Sequence, residues 1–127
     1  MSDKEASTYE GGCHCGQVRF RVTTSEHVAY DCNCSVCTMK GLLHLIVPKD
    51  AFELLRGEEE LSLYTFGTHT ARHTFCKHCG VQPFYVPRSH PDGVDVNVHC
   101  LDGEAKAAFR VEPFDGRNWE RNVEKIR

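Results

Sequence analysis

Seven of the eight cysteines in this 127-residue chain fall into three short clusters: Cys13-His14-Cys15, Cys32-Asn33-Cys34-Ser35-Val36-Cys37 and Cys76-Lys77-His78-Cys79. What such clusters do depends on the redox compartment. The opening residues, MSDKEASTYEGG, are polar and acidic, without the apolar stretch of a secretory signal or the basic character of a transit peptide. The expected compartment is therefore reducing and intracellular, the cytoplasm first and the nucleus as alternative, where clustered thiols hold metal in preference to one another. Eight cysteines in 127 residues are also too sparse for a disulfide scaffold.

Tetrahedral zinc with sulfur at about 2.3 Å places neighbouring sulfurs about 3.8 Å apart. Cysteines spaced i,i+3 around a tight turn meet that distance, and Cys76 to Gly80 reads as such a turn. Cysteines spaced i,i+2 lie on one side of an extended segment and converge if the backbone bends; Gly11, Gly12 and Gly16 supply that freedom around Cys13 and Cys15. Seven thiolates make one closed four-sulfur site and leave three over. A closed site is structural, whereas three protein ligands with an open fourth position is the arrangement of catalytic zinc. Cys32, Cys34 and Cys37 form the natural open set because one six-residue segment supplies all three. Cys13, Cys15, Cys76 and Cys79 then form the closed set. Exchanging the Cys13 and Cys32 pairs satisfies the same arithmetic.

The rest of the chain reads as short strands. Val18 to Val22 alternates strictly, as does Val94 to Val98. Further strands are expected over Leu42–Val47, Leu61–Phe66, Ala71–Phe75 and Val81–Val86, the last with Pro83 marking an edge or bulge. Asp50 and Glu53 resemble a helix start, with Ala51 to Leu55 as one or two turns. Residues 1–10 read as a disordered tail, residues 11–127 as one domain, and Trp119 to Ile126 as an amphipathic C-terminal helix. The fold class is mostly β, a sandwich or barrel stapled by metal. No run approaches the roughly 18 apolar residues of a membrane span. A net charge of −3 with no basic stripe offers no footprint for nucleic acid or an anionic membrane.

Gly12-Cys13-His14-Cys15-Gly16, the Cys32–Cys37 segment and Thr74-Phe75-Cys76-Lys77-His78-Cys79-Gly80-Val81 together resemble the glutathione-dependent formaldehyde-activating enzyme family. Tyr64-Thr65-Phe66, Phe84 to Ser89 and His99-Cys100-Leu101-Asp102 are similar to its centromere protein V-type branch. The resemblance runs from Gly11 to about Trp119. It implies a β-sandwich of the beta-tent type holding two zinc ions per chain. By family analogy Cys13, Cys15, Cys76 and Cys79 hold a structural zinc, and Cys32, Cys34 and Cys37 a catalytic one. The implied activity is that of a carbon–sulfur lyase interconverting glutathione plus formaldehyde with S-hydroxymethylglutathione. That branch carries a basic, proline-rich extension ahead of the domain, whereas ten polar residues precede Gly11 here, so chromatin or microtubule roles are not expected.

The expected partners are glutathione or another small thiol, and formaldehyde. A thiol at an open zinc position is deprotonated and nucleophilic at neutral pH. Lys40, Arg72, Lys77 and Arg88 are candidate cations for glutathione's carboxylates, each with an ordinary solvated role as the alternative. His14, His78 and His99 adjoin cysteines as candidate outer partners of a metal site, and His44 reads as a satisfied core histidine. Cys100 is a core thiol, or else a fourth ligand that would close the second site. A non-catalytic two-zinc scaffold for protein interaction is the main competing reading. Thiol redox chemistry lacks the βαβ context its CxxC motif needs. Nucleic-acid binding is disfavoured because seven thiolates and two Zn²⁺ would carry the formal charge from −3 to about −6.

Overall fold

The structure, a computed structural model, describes residues 6–116. Among the described residues, ten strands make three sheets. β1 (Ser7–Gly12), β2 (Arg19–Thr24) and β5 (Phe52–Arg56) form an antiparallel sheet in the order β1-β2-β5. β3 (Val28–Cys32), β4 (His44–Pro48), β8 (Phe84–Tyr85), β9 (Gly93–Asn97) and β10 (Arg110–Phe114) form a second, in the order β10-β3-β4-β9-β8. β6 (Leu61–Tyr64) and β7 (His73–Cys76) form a two-stranded hairpin. β10 runs parallel to β3, and the other pairings are antiparallel. One short helix, α1 (Ser35–Lys40), follows β3. The chain is mostly β, as the sequence indicates.

Alternation in β2 turns Phe20 and Val22 inward, where both are fully buried with Val18. They meet Leu45, Val47 and Val96 of the larger sheet, and Val98 just beyond β9, in one core. Phe52 stacks on Phe20 at 5.5 Å between centroids and meets Phe84 at 4.7 Å, joining the two sheets through aromatic contacts.

Three expectations are corrected. Residues 7–10, expected in a disordered tail, lie in β1; β2 pairs along their backbone, and Tyr9 packs against Phe109 while its hydroxyl bonds His27 Nε2 at 2.9 Å. The helix expected over Ala51–Leu55 is a single 3-10 turn, Lys49–Ala51, followed by β5. Phe52-Glu53-Leu54 carries a period of two, and pairing of Phe52 with Val22 overrides the cap signal. The strand expected over Val81–Val86 contracts to Phe84–Tyr85 behind the fully buried Pro83. The other expected strands shift by a few residues, β3 and β10 were not anticipated, and the Trp119–Ile126 helix lies outside the described residues.

Arg19 of β2 makes a bidentate pair with Asp102 beyond β9, and this holds the Asp102 carboxyl below the usual carboxylate range. A lowered carboxyl contributes stability above its unfolded pKa of about 4, and that contribution is lost as pH falls through the folded value. The pair is solvent-exposed, so Asp102→Ala is expected to cost only about 0.5 kcal/mol at pH 7 and nothing measurable at pH 2. Urea midpoints at the two pH values check this.

Candidate metal centres and active-site cavity

The structure brings Cys13, Cys15, Cys76 and Cys79 into one group and Cys32, Cys34 and Cys37 into another, the sulfurs of each lying within 4.8 Å of one another. The four-sulfur group joins two turns. Cys13 and Cys15 follow β1, and the Cys13 sulfur accepts the Val18 N–H at 3.3 Å. Cys76 ends β7, its sulfur accepts the His78 N–H at 3.4 Å, and the turn closes through Gly80 N–H to Cys76 O at 2.8 Å. Gly80 has φ +79°, a conformation that favours glycine. Cys13 and Cys15 sulfurs are 3.6 Å apart, as are those of Cys15 and Cys76. These separations lie close to the tetrahedral zinc–thiolate edge of about 3.8 Å.

The three-sulfur group arises locally. Cys32 ends β3, Cys34 caps α1, and one helical turn returns Cys37, whose N–H bonds the Cys34 sulfur at 3.4 Å. Gly41, in the left-handed region at φ +65°, ends the helix after six residues. Gly116, two residues beyond β10, approaches the group closely. A Cβ placed there would lie 2.3 Å from the Cys32 sulfur and 3.1 Å from Cys34 Cβ.

Proton sharing shows why these sulfurs suit a cation. Hydrogen bonds from Cys32 and then Cys37 hold Cys34 down to about 2, whereas Cys32 is pushed up to about 11 by its bond to Cys34. Cys37 is raised further by its hydrogen bonds to both. Ionisation of one sulfur is favoured by its neighbours' hydrogen bonds, and further ionisation meets like-charge repulsion that a bound cation removes. In the other group Cys79 falls to about 6, burial opposing and the Val81 backbone favouring ionisation. Cys15 rises to about 12; its Gln17 backbone bond opposes the rise, which desolvation and bonds to Cys13, Cys76 and Cys79 bring about. Both donor sets can hold a metal ion.

Their surroundings differ. Cys32, Cys34 and Cys37 line a cavity of about 580 Å³, and no member of the four-sulfur group does. Its walls come from β3, β4, α1, β8 and the segments after β6 and before β9, with Ile46, Phe66, Tyr85 and Phe114 giving them an apolar character. Phe66 stacks on His73 at 5.5 Å, and His73 on Tyr85 at 4.5 Å, so an aromatic row leads inward from the exposed Tyr64. Burial, followed by the charge of Lys40, lowers the His73 pKa and keeps that ring neutral.

A buried pair completes the wall. His44 and Asp95 are 5% and 2% exposed, and His44 Nδ1–H donates to Asp95 Oδ2 at 2.7 Å. Tyr85 Oη lies 3.3 Å from the same nitrogen. His44 Nε2 is buried without a hydrogen-bond partner among the described residues. His44 is therefore not the satisfied core histidine expected from its apolar run. Asp95, Tyr85, His73, Phe66 and Gly116 were not anticipated as site residues. Alternation in Val94-Asp95-Val96 points Asp95 toward solvent, but β9 is an inner strand covered on both faces, so its polar side chain faces the cavity.

Among the candidate cations, only Arg88 lines the cavity. Lys40 bonds Gln82 Oε1 and lies over Phe75, and the Lys77 N–H bonds Glu60 O. Arg72 bridges to Val86 through its backbone. His78 pairs with Glu60, His99 with Lys106, and His14 is exposed. Cys100 belongs to neither sulfur group; its thiol approaches Gln82 O at 3.9 Å, and burial pushes it up to about 11.

The crystal structure of a Rhodobacter sphaeroides protein is similar to this chain, with 38% identity over 74% of this chain and 88% of that one, at a TM-score of 0.66. Residues 8–117, which span all three cysteine motifs and both sulfur groups, match the family profile described as glutathione-dependent formaldehyde-activating enzyme. With motif order, sulfur geometry and profile in agreement, the chain belongs to the glutathione-dependent formaldehyde-activating enzyme family.

Proposed function

We propose that this protein is a zinc-dependent carbon–sulfur lyase that interconverts glutathione and formaldehyde with S-hydroxymethylglutathione. The observation that carries the reading is the placement of the three-sulfur group, alone of the two, on the wall of the large cavity. Cys13, Cys15, Cys76 and Cys79 hold a structural zinc in this reading, and Cys32, Cys34 and Cys37 the catalytic one. Zinc held by Cys32, Cys34 and Cys37 would supply the Lewis acidity that makes a bound thiol a nucleophile at neutral pH.

The chain's own residues do the rest. A volume of about 580 Å³ falls within the roughly 300–1,000 Å³ of small-molecule sites, and formaldehyde fills little of it. The remainder accommodates the thiol, with the apolar walls at Ile46, Phe66 and Phe114 limiting water around the reacting atoms. Arg88 supplies the one Arg or Lys guanidinium or ammonium among the described lining residues, suited to a carboxylate of glutathione.

Because glutathione and formaldehyde also react unaided, the test compares exchange rates with and without protein at matched pH. Two-dimensional NMR exchange between glutathione and S-hydroxymethylglutathione is expected to be faster with the protein. The acceleration is expected to be largest below the thiol's free pKa, where solution thiolate is scarce. Cys34→Ser is expected to abolish it. In cobalt-substituted protein, glutathione is expected to shift the cobalt–thiolate absorption. No acceleration and no shift would leave a two-zinc scaffold; a shift without acceleration would leave a thiol carrier.

A further inference from the structure

His44 lines the same cavity as Cys32, Cys34 and Cys37, and its Nε2 is buried without a hydrogen-bond partner among the described residues. Leaving a buried polar atom without a partner costs stability, so the nitrogen calls for an occupant. The ring is not loosely held. Strand register places Asn97 opposite His44 and Asp95 opposite Ile46, so Asp95 lies diagonal to His44 on one face of the sheet. Tyr85 pairs directly with Asp95 from β8 on that same face. Asp95 accepts the Nδ1 proton at 2.7 Å, which fixes the ring and leaves Nε2 as the atom available to a ligand. A nucleophile site, a base within the same cavity and a carboxylate orienting that base form the constellation of a general acid–base catalyst.

From this geometry we infer that His44 is the acid–base residue of the thiol–aldehyde reaction, carrying the transferred proton on Nε2. The inference rests on the lyase reading and adds the proton path to it. In the synthetic direction the proton leaving the thiol sulfur is taken up at Nε2. The sulfur electron pair then forms the S–C bond, the C=O π pair moves to oxygen, and Nε2 returns the proton to that oxygen as the hydroxyl forms. In reverse, Nε2 takes the hydroxyl proton, the oxygen electron pair re-forms the C=O bond as the C–S bond breaks, the C–S pair returns to sulfur, and Nε2 gives its proton to that sulfur. No oxidant or other co-reactant is consumed. Burial disfavours a charged ring, and the charge and hydrogen bond of Asp95 oppose this and raise the His44 pKa. The titratable or charged groups acting on His44 are Asp95, Tyr85, His73, Asp31 and Cys34.

The experiment uses zinc-loaded and cobalt-substituted full-length protein, with glutathione and formaldehyde as probes. His44→Gln is expected to stay folded, to keep two metals and to retain the glutathione-dependent cobalt shift. Its NMR exchange rate is expected to fall about 100-fold or more, as for loss of a general acid–base group. A solvent deuterium isotope effect present in the wild type is expected to vanish in the variant, which a merely structural histidine would not cause. Unchanged exchange in His44→Gln overturns the inference and leaves Nε2 as a water-binding atom. A changed cobalt spectrum before glutathione is added, or loss of one metal, also overturns it and makes His44 a fourth metal ligand. If His44→Gln does not fold, Asp95→Asn decides: slower exchange at unchanged metal content supports the inference, and an unchanged rate overturns it. Failure of the lyase reading is seen separately, as a wild-type protein that does not accelerate exchange, and it overturns both.

Discussion

Cys76→Ser is expected to unfold the protein or lower its Tm by roughly 15 °C, whereas Cys34→Ser is expected to move it by no more than a few degrees. Cys76 is fully buried at the end of β7, and its sulfur group ties a turn after β1 to a turn some sixty residues later. Structural zinc contributes folding free energy directly, about 10–16 kcal/mol in small zinc domains. That is comparable to the whole stability of an ordinary domain, about 5–15 kcal/mol. Loss of one thiolate is expected to remove on the order of 4 kcal/mol of it, which sets the size of the thermal shift. Cys34 by contrast lies within one six-residue segment that β3 and α1 already position. Its substitution is expected to leave a folded chain with one metal, against the two expected by elemental analysis of the wild type. Calorimetry alongside metal analysis of the three proteins checks this, and equal destabilisation by the two substitutions would mean that both sites are structural.

Gly116→Ala is expected to release the second metal while leaving the first in place. The new methyl would lie 2.3 Å from the Cys32 sulfur, closer than real side chains approach, and a tight 3.1 Å from Cys34 Cβ. The sulfur is the atom that must yield, because β10 is held parallel to β3 from Arg110 to Phe114 and the Asn33 N–H bonds Phe114 O at 3.2 Å. A displaced Cys32 no longer shares the compact arrangement with Cys34 and Cys37. Even groups that merely orient metal ligands change affinity by about 10–100-fold, so displacing a ligand is expected to cost at least about 100-fold. Competition with a chromophoric zinc chelator measures it. Two metals retained at wild-type affinity would show that the β10 end relaxes away from Cys32.

Taken alone, the sequence determined the features built from neighbours in the chain. Cysteines at i,i+2 and i,i+3 identify themselves as ligand clusters because a bent segment or one turn is enough to bring their sulfurs together. The alternation from Val18 to Val22 and from Val94 to Val98 identifies strands because side-chain direction repeats every two residues. What joins to what was left to the tertiary structure. Both pairings of the cysteine clusters satisfied the same count, and the approach of the β1 turn to the β7 turn selected one of them. Phe52-Glu53-Leu54 became a strand because β2 offered an edge, a contact no local signal contains. Asp95 looked solvent-facing until β4 and β8 flanked its strand, and His44 looked like core until the register set Asp95 beside it. Gly116 gave no sign of its role, since only the parallel pairing of β10 with β3 carries it to the Cys32 sulfur. Local geometry fixes each cysteine cluster, but the four-sulfur group, the cavity and its His44–Asp95 pair exist only where segments distant in sequence meet.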